Sequence, residues 1–363
     1  MNRLLMLFLL AASFVVMPVV AGEIFKCRDA MGRVAFQDHP CHKSDNEEKL
    51  PSYSAPAKVD KTSDKKAADV AGASGPQASA KESEAKKAGK TAGSNTFAWR
   101  LSKGKQQGYL MGSIHFGKAS MYPLPMTLLN AFKESSALVV EANVVDADAS
   151  TMAHTMMSAG VYSDGTTLKK VLGADLWGEL GVTSAALGIP VSLLEGMKPW
   201  LASMTLTAMV LKGIGLDESL GVDRHFLDMA KAQHKPIREL ESVHQQLTLL
   251  SGLPQKVQIA MLKQTLKDVV AADAYFDTML KAWQSGDVLA LNRLFVDEGL
   301  KSDESGELNR LMNTNRNITM AKKVDEMLKK GCHCFVVVGA GHLGGEAGMI
   351  KLLQAKGYKV EQL

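Results

Sequence analysis

The sequence predicts an α/β (α+β) protein with a mainly parallel central sheet among many helices, preceded by a small β-hairpin module. Three observations predict it. Short, continuously apolar runs such as Ala137-Leu-Val-Val-Glu141 and Cys334-Phe-Val-Val-Val338 have the length and β-branched content of strands buried on both faces, as in a parallel sheet. Helical patterns separate these runs, and parallel neighbours need such crossovers. Near the N-terminus, by contrast, apolar and polar residues alternate on both sides of Asp29-Ala-Met-Gly32, which is a hairpin signal with a short turn. The chain has 363 residues, 46% of them hydrophobic, so it can bury a full core.

In chain order, Arg3 precedes an apolar run from Leu4 to Val20 that closes on Val19-Val20-Ala21, small residues suited to cleavage before Gly22. The run is broken by Ser13 and Pro18 and is shorter than the roughly twenty residues of a spanning helix. Residues 1–21 therefore read as a signal peptide and the protein as periplasmic or secreted, an uncleaved inner-membrane anchor being the alternative. The hairpin module covers residues 22–42. So few residues build little core, and a Cys27–Cys41 disulfide is the expected staple in an oxidising compartment. Residues 43–95 are rich in Ala, Lys, Ser, Asp, Glu, Gly and Pro and read as a disordered tether.

The main domain spans residues 96–363. It opens with strands at 97–101 and 109–112, then a helix at 124–136 with Pro125 in its first turn, then the strand ending at Glu141. Apolar residues at three and four spacing place helices at 149–159, 175–187, 199–212 and 222–233, and residues 235–240 return to a strand. Further helices are expected over 254–284, with a break near Ala271, then over 288–297 and 313–330. A strand at 334–338, a helix at 347–355 and a strand at 358–361 close the domain as another crossover unit. Cys332 and Cys334, two apart on a strand, share a face and read as small apolar side chains, since a Cys-His-Cys metal site there would need a fourth ligand and a turn. The twenty methionines are scattered through helices and read as packing.

A formal charge of +4, with 42 basic and 38 acidic residues interleaved, gives no basic stripe and argues against nucleic acid as a partner. Chemistry concentrates instead at strand ends. A Gly-x-x-His pattern follows an apolar strand twice, at Gly112-Ser-Ile-His115 and at Gly339-Ala-Gly-His342. Glu141 ends a third strand and Glu241 follows a fourth. Open parallel sheets bind ligands at the carboxyl ends of their strands, so four candidates fall on one edge. Two histidines and a glutamate suit a divalent ion such as zinc or manganese, with Glu241 a further ligand or general base. Structural hydrogen bonding is the plainer reading of each histidine, and capping or pairing with lysine that of each glutamate. Asp223 reads as a helix-start acid, and His154, His225, His234 and His244 as surface or packing residues. Arg316 reads either as a solvated helix-face residue or as a binder of a substrate carboxylate or oxyanion.

From about Phe97 onward these residues resemble the TraB/PrgY/GumN family, whose eukaryotic relatives include the Tiki metalloproteases. The resemblance rests on Leu110-Met-Gly-Ser-Ile-His115, Leu124-Pro125, Val139-Val-Glu141, Lys198-Pro-Trp200, Gly221-Val-Asp223, Lys235-Pro-Ile-Arg-Glu-Leu-Glu-Ser242, Ala282-Trp-Gln-Ser-Gly-Asp287, Arg316-Asn317 and Val338-Gly-Ala-Gly-His-Leu-Gly-Gly345. It implies an α/β fold like that of erythromycin-esterase-like and haem-binding ChaN-like proteins. It also implies a divalent-metal site (zinc, manganese or cobalt) at His115, Glu141 and His342, with Arg316 in support, in a metal-dependent hydrolase of peptides. A protein that binds peptide or small-molecule ligands without catalysis, and a haem- or metal-binding protein, are the alternatives it leaves. One departure is Ile318-Thr-Met320 after Arg316-Asn317, where the family often has a tryptophan. Phe25-Lys-Cys27, Asp29-Ala-Met-Gly-Arg-Val34 and Gln37-Asp-His-Pro-Cys41 resemble a small domain of unknown function common at the start of exported proteobacterial proteins, which implies attachment to the envelope or to a partner.

Overall fold

The computed structural model describes residues 25–28, 34–37, 46–49, 95–296 and 303–363. The expected signal peptide and the Cys27–Cys41 pairing lie outside the described residues. The chain divides into two units, residues 16–91 forming the smaller. In that unit β1 (Phe25–Arg28) pairs antiparallel with β2 (Val34–Gln37), as the alternation around Asp29-Ala-Met-Gly32 requires. A third strand, β3 (Asn46–Lys49), pairs with the other side of β1 and falls inside the stretch expected as tether.

The larger unit is built on a six-stranded sheet of order β7-β6-β8-β5-β4-β9. β4 (Ala98–Lys103) and β5 (Gln106–Ser113) form an antiparallel hairpin, and α1 (Met126–Glu134) crosses to β6 (Ala137–Val140). Pro125 stands one residue ahead of α1, as its N-cap. β7 (Ile237–Glu239), β6, β8 (Cys334–Gly339) and β5 run parallel, and β9 (Lys359–Gln362) joins the β4 edge antiparallel. Every residue of β6 and β8 is buried, which is why both read as unbroken apolar runs. Phe335 of β8 is fully buried, its ring centroid 4.9 Å from Phe226 and 5.8 Å from Phe132. Truncation of such a residue to alanine costs about 3–5 kcal/mol.

Between β6 and β7 run α2 (Ala149–Gly160), α3 (Leu168–Ala186), α4 (Pro199–Gly213) and α5 (Val222–Ala232). α3 begins seven residues before the expected start at 175, because Thr167 caps a first piece that bends at Gly173, where φ is 74°. After β7 come α6 (Val243–Ser251), α7 (Gln255–Asp268), α8 (Ala272–Gln284), α9 (Val288–Val296), α10 (Asp303–Asn309) and α11 (Asn315–Lys329), and α12 (Met349–Ala355) precedes β9. The break near Ala271 is there, as a 3-10 turn over Val269–Ala271. α6 and α10 were not expected, although Ser242 and Gln245 form a capping box at the start of α6. A π-helical turn, Arg310–Thr314, leads into α11. α3, α4 and α7 share a second apolar cluster around Leu180, Leu206 and Leu262, separate from the core on the sheet. Cys332 and Cys334 correct their sequence reading: they are disulfide-bonded, with Cα atoms 5.2 Å apart, rather than two free apolar side chains. Among the described residues no helix is long and apolar enough to cross a membrane.

Candidate functional site

The parallel register aligns the carboxyl ends of four strands: Ser113 of β5 pairs with Gly339 of β8, and Val140 of β6 with Val337 of β8 and Glu239 of β7. His115, Glu141, Glu241 and His342 leave the sheet at these ends. His115, Glu141 and His342 are 4%, 5% and 0% exposed, so each carries a cost of burial that its partners must offset.

The β5 end is set by close backbone contact. Ile114 O accepts from Val222 N at 2.8 Å, and a Cβ on Gly221 would lie 2.3 Å from His115 O, so only glycine lets α5 start there. Trp283 Nε1 donates to Gly112 O at 2.8 Å and fixes the turn from the other direction. This docking brings Asp223, the second residue of α5, to His115, with Oδ2 3.0 Å from Nδ1. Asp223 was expected only as a helix-start acid. It is 8% exposed and paired with the histidine, a role that depends on a fold contact rather than on the helix that carries it.

The β8 end is neutral by comparison. His342 Nδ1 lies 2.6 Å from Asn317 Oδ1, and Asn317 Nδ2 donates to Ala347 O at 2.9 Å. With its NH2 group used there, Asn317 offers the ring an acceptor, so His342 carries its proton on Nδ1 and an open lone pair on Nε2. That Nε2 is buried without a hydrogen-bond partner, 3.6 Å from Glu141 Oε2.

Glu141 is the centre of a charged network. Its Oε2 accepts from Gly339 N at 3.1 Å, and its Oε1 accepts from Gln246 Nε2 at 2.9 Å and from Arg316 Nη2. Arg316 also binds Glu241 through Nε, at 3.1 and 3.0 Å, and through Nη2 at 2.7 Å, while Nη1 donates to Met312 O in the π turn. Burial alone would raise the Glu141 pKa; the Arg316 charge outweighs it and holds the carboxyl well below its usual range. Burial alone would lower the Arg316 pKa; Glu141 and Glu241 outweigh it and raise the value above the usual one. The solvated reading of Arg316 does not hold, because it is 6% exposed and donates to two carboxylates and a carbonyl; one Nη1 N–H is left over, and Arg316 and Glu241 border a cavity of ≈ 250 Å³. Glu241, expected as ligand or base, has both oxygens on Arg316 and one on Gln246.

His115, Glu141, Asp223, Ser113 and Gln246 line a narrow cavity of ≈ 10 Å³, room for about one water-sized sphere. Two further polar atoms here, Ser113 Oγ and Asp223 Oδ1, are buried without hydrogen-bond partners, as is His342 Nε2. Asp223 Oδ1, in the lining, is an acceptor left over beside this space, as is His342 Nε2, 3.6 Å from the lining residue Glu141, and leftover acceptors suit a cation. Among the described residues, no three His, Cys, Asp or Glu side chains form an assembled metal-ligand group. Glu218, just ahead of α5, has a buried Oε2 with no hydrogen-bond partner, and its pKa is pushed up to about 7, chiefly by burial, with Asp223 and Asp217 adding to the effect against Arg224. His154, His234 and His244 are exposed, and His225 packs on Tyr122 with ring centroids 5.0 Å apart, all as expected.

Sequence reading therefore placed the strand-end groups and missed Asp223, Asn317, Gln246 and Trp283 as their partners. Asn317 and Trp283 were inside the quoted motifs, but nothing local says what they touch. Compared with known proteins, residues 97–362 match the sequence profile described as the TraB/PrgY/gumN family, and residues 6–85 match a domain of unknown function, DUF4124. The chain is 30% identical over 256 residues to uncharacterized protein YbaP of Shigella flexneri, covering 69% of this chain and 89% of the relative. The same figures hold for uncharacterized protein YbaP of Escherichia coli strain K12. No solved structure matches.

Proposed function

This chain belongs to the TraB/PrgY/gumN family, and from that premise we propose that it is an exported, metal-dependent hydrolase of peptides with His115, Glu141 and His342 as ligands. The observation that carries the reading is the His342 ring: its proton is fixed on Nδ1 by Asn317, and its buried Nε2 has no hydrogen-bond partner. Metal-bound imidazoles are held through the other ring nitrogen in this way. Charge agrees, because Glu141, Glu241 and Asp223 stand against one buried guanidinium, and a divalent cation would offset the excess.

A bound zinc, manganese or cobalt ion would supply Lewis acidity toward the scissile carbonyl and a water. The chain's own groups do the rest. Arg316 keeps Glu141 ionised, Glu241 and Gln246 hold Arg316 and Glu141 in register, and Asp223 sets the charge beside the His115 ring. Glu218, titrating near 7, is suited to hold or release a proton at the β5 end. Export rests on the apolar run up to Val20 and the small residues before Gly22.

The test is metal analysis of the purified full chain after incubation with zinc, manganese or cobalt, beside His115→Ala and His342→Ala, together with a fluorogenic peptide-library assay. The expected result is about one divalent ion per chain, at least tenfold weaker binding in each variant, and peptide cleavage only by the loaded wild type. Wild-type protein that takes up no divalent ion would sink the proposal. A Soret band on adding haem, without divalent-ion uptake, would replace it with the haem reading.

A further inference from the structure

The loop after His342 forms one wall of a cleft of ≈ 370 Å³ that the proposed chemistry does not use, a volume within the range of ligand pockets. α9, the end of α10 and the π turn supply the other walls. Half of its lining side chains are carboxamides, from Asn292, Asn309, Asn313 and Asn317, and its one charged lining residue, Glu346, is exposed and paired with Lys351. The loop presents bare main chain toward Asn292. A Cβ on Gly344 would lie 2.9 Å from Asn292 Cβ, and one on Gly345, where φ is +83°, would lie 3.0 Å from Asn292 Oδ1.

The carboxamides have bonding capacity to spare. Asn313 Nδ2 donates to Asn309 Oδ1 at 2.8 Å, which leaves Asn313 Oδ1 to accept and Asn309 Nδ2 to donate. The Asn292 side chain makes no hydrogen bond among the described residues. The ligand class follows from this chemistry. With no cation in the lining, an anion has nothing to pair with, and the one aromatic residue, Phe295, is only 8% exposed and offers no platform for a sugar ring. A carboxamide carries the same donor and acceptor as a peptide unit, so a row of them complements an extended main chain.

We infer that this cleft binds the main chain of an extended, uncharged peptide segment through Asn292, Asn309 and Asn313. The peptide is the substrate only if the hydrolase reading holds, whereas its binding is independent of that reading. Asn317 belongs to both places: it lines the cleft and holds the His342 ring, so an occupied cleft is mechanically joined to the candidate site.

The experiment is fluorescence polarisation of the full chain, without added metal, against a labelled pool of N-acetylated, C-amidated hexapeptides. Binding should weaken about tenfold in Asn292→Leu and in Asn313→Leu, persist in His342→Ala, and change less than twofold between 0.05 and 0.5 M salt, because neutral hydrogen bonds are not screened. Thermal unfolding checks each variant, and Asn309→Ala, which removes the spare Nδ2 donor, replaces any leucine variant that fails to fold. The inference is overturned if the asparagine variants bind as the wild type does, if the wild type binds no peptide, or if maltohexaose competes the peptide away. None of these outcomes bears on metal uptake, so the two proposals fail separately.

Discussion

At the end of β5 the His115 ring faces a carboxylate, Asp223, with the protonatable Glu218 close enough to feel both. At the end of β8 the His342 ring faces a neutral carboxamide, Asn317, and Glu141 beyond it is matched by Arg316. One Gly-x-x-His pattern thus serves two electrical settings. The partner residue, which is remote in sequence, decides whether the ring faces a carboxylate or a carboxamide. Near the β8 end Arg316 offsets part of the negative charge of Glu141 and Glu241, while at the β5 end Asp223 and Glu218 stand beside His115 in a setting that favours a cation or a proton.

Removing that offset should have the largest effect. Arg316→Met leaves Glu141 and Glu241 buried without their counter-charge and is expected to cost about 3–5 kcal/mol in urea unfolding. Adding Glu141→Gln to it should recover part of that loss; a cost below about 1 kcal/mol would mean that the network does not carry the charge as described.

Exchanging the partners tests the two ends against each other. At the proposed metal site, Asp223→Asn should weaken divalent-ion binding about 10–100-fold, the usual effect of losing a carboxylate that orients a ligand histidine. Asn317→Asp adds a carboxylate at the β8 end and should leave binding unchanged or tighter. Titration calorimetry reads both, and a loss of equal size in the two variants would erase the distinction between the ends.

The pH dependence should differ in sign. The Glu141 carboxyl is held below its usual value in the folded protein, so its stabilisation is present above the usual carboxylate range and is lost as pH falls through the lowered value. Glu218 is raised to about 7 in the folded protein, so its contribution is present below the usual carboxylate range and is lost as pH rises toward 7. Glu218→Gln should flatten the fall in stability between about pH 4.5 and 7, an effect of about 1 kcal/mol after allowance for partial exposure. Unfolding midpoints measured across that window check it, and a slope unchanged by the substitution would show that Glu218 is not the group responsible.

The smallest of these effects arises from a residue that sequence reading did not single out, and the reason is physical. Glu218 is unusual only because α5 docks on the β5 end and buries it near Asp223, a contact that spans about a hundred residues between Ile114 and Val222. The strands were legible because burial on both faces leaves unbroken apolar runs at β6 and β8. α6 is announced only by the capping pair Ser242 and Gln245, because its nine residues are too few to carry a long apolar stripe. α3 was placed by its second piece because Gly173 interrupts the period.

The sequence by itself determined the strands, their carboxyl ends and the four groups that stand there, because local hydrophobic pattern and chain direction fix those things. Only the tertiary structure decided what each group is. Asp223 became the partner of His115, Asn317 that of His342, and Arg316 a buried counter-charge for two glutamates, because side-chain contacts between remote segments have no local pattern to announce them.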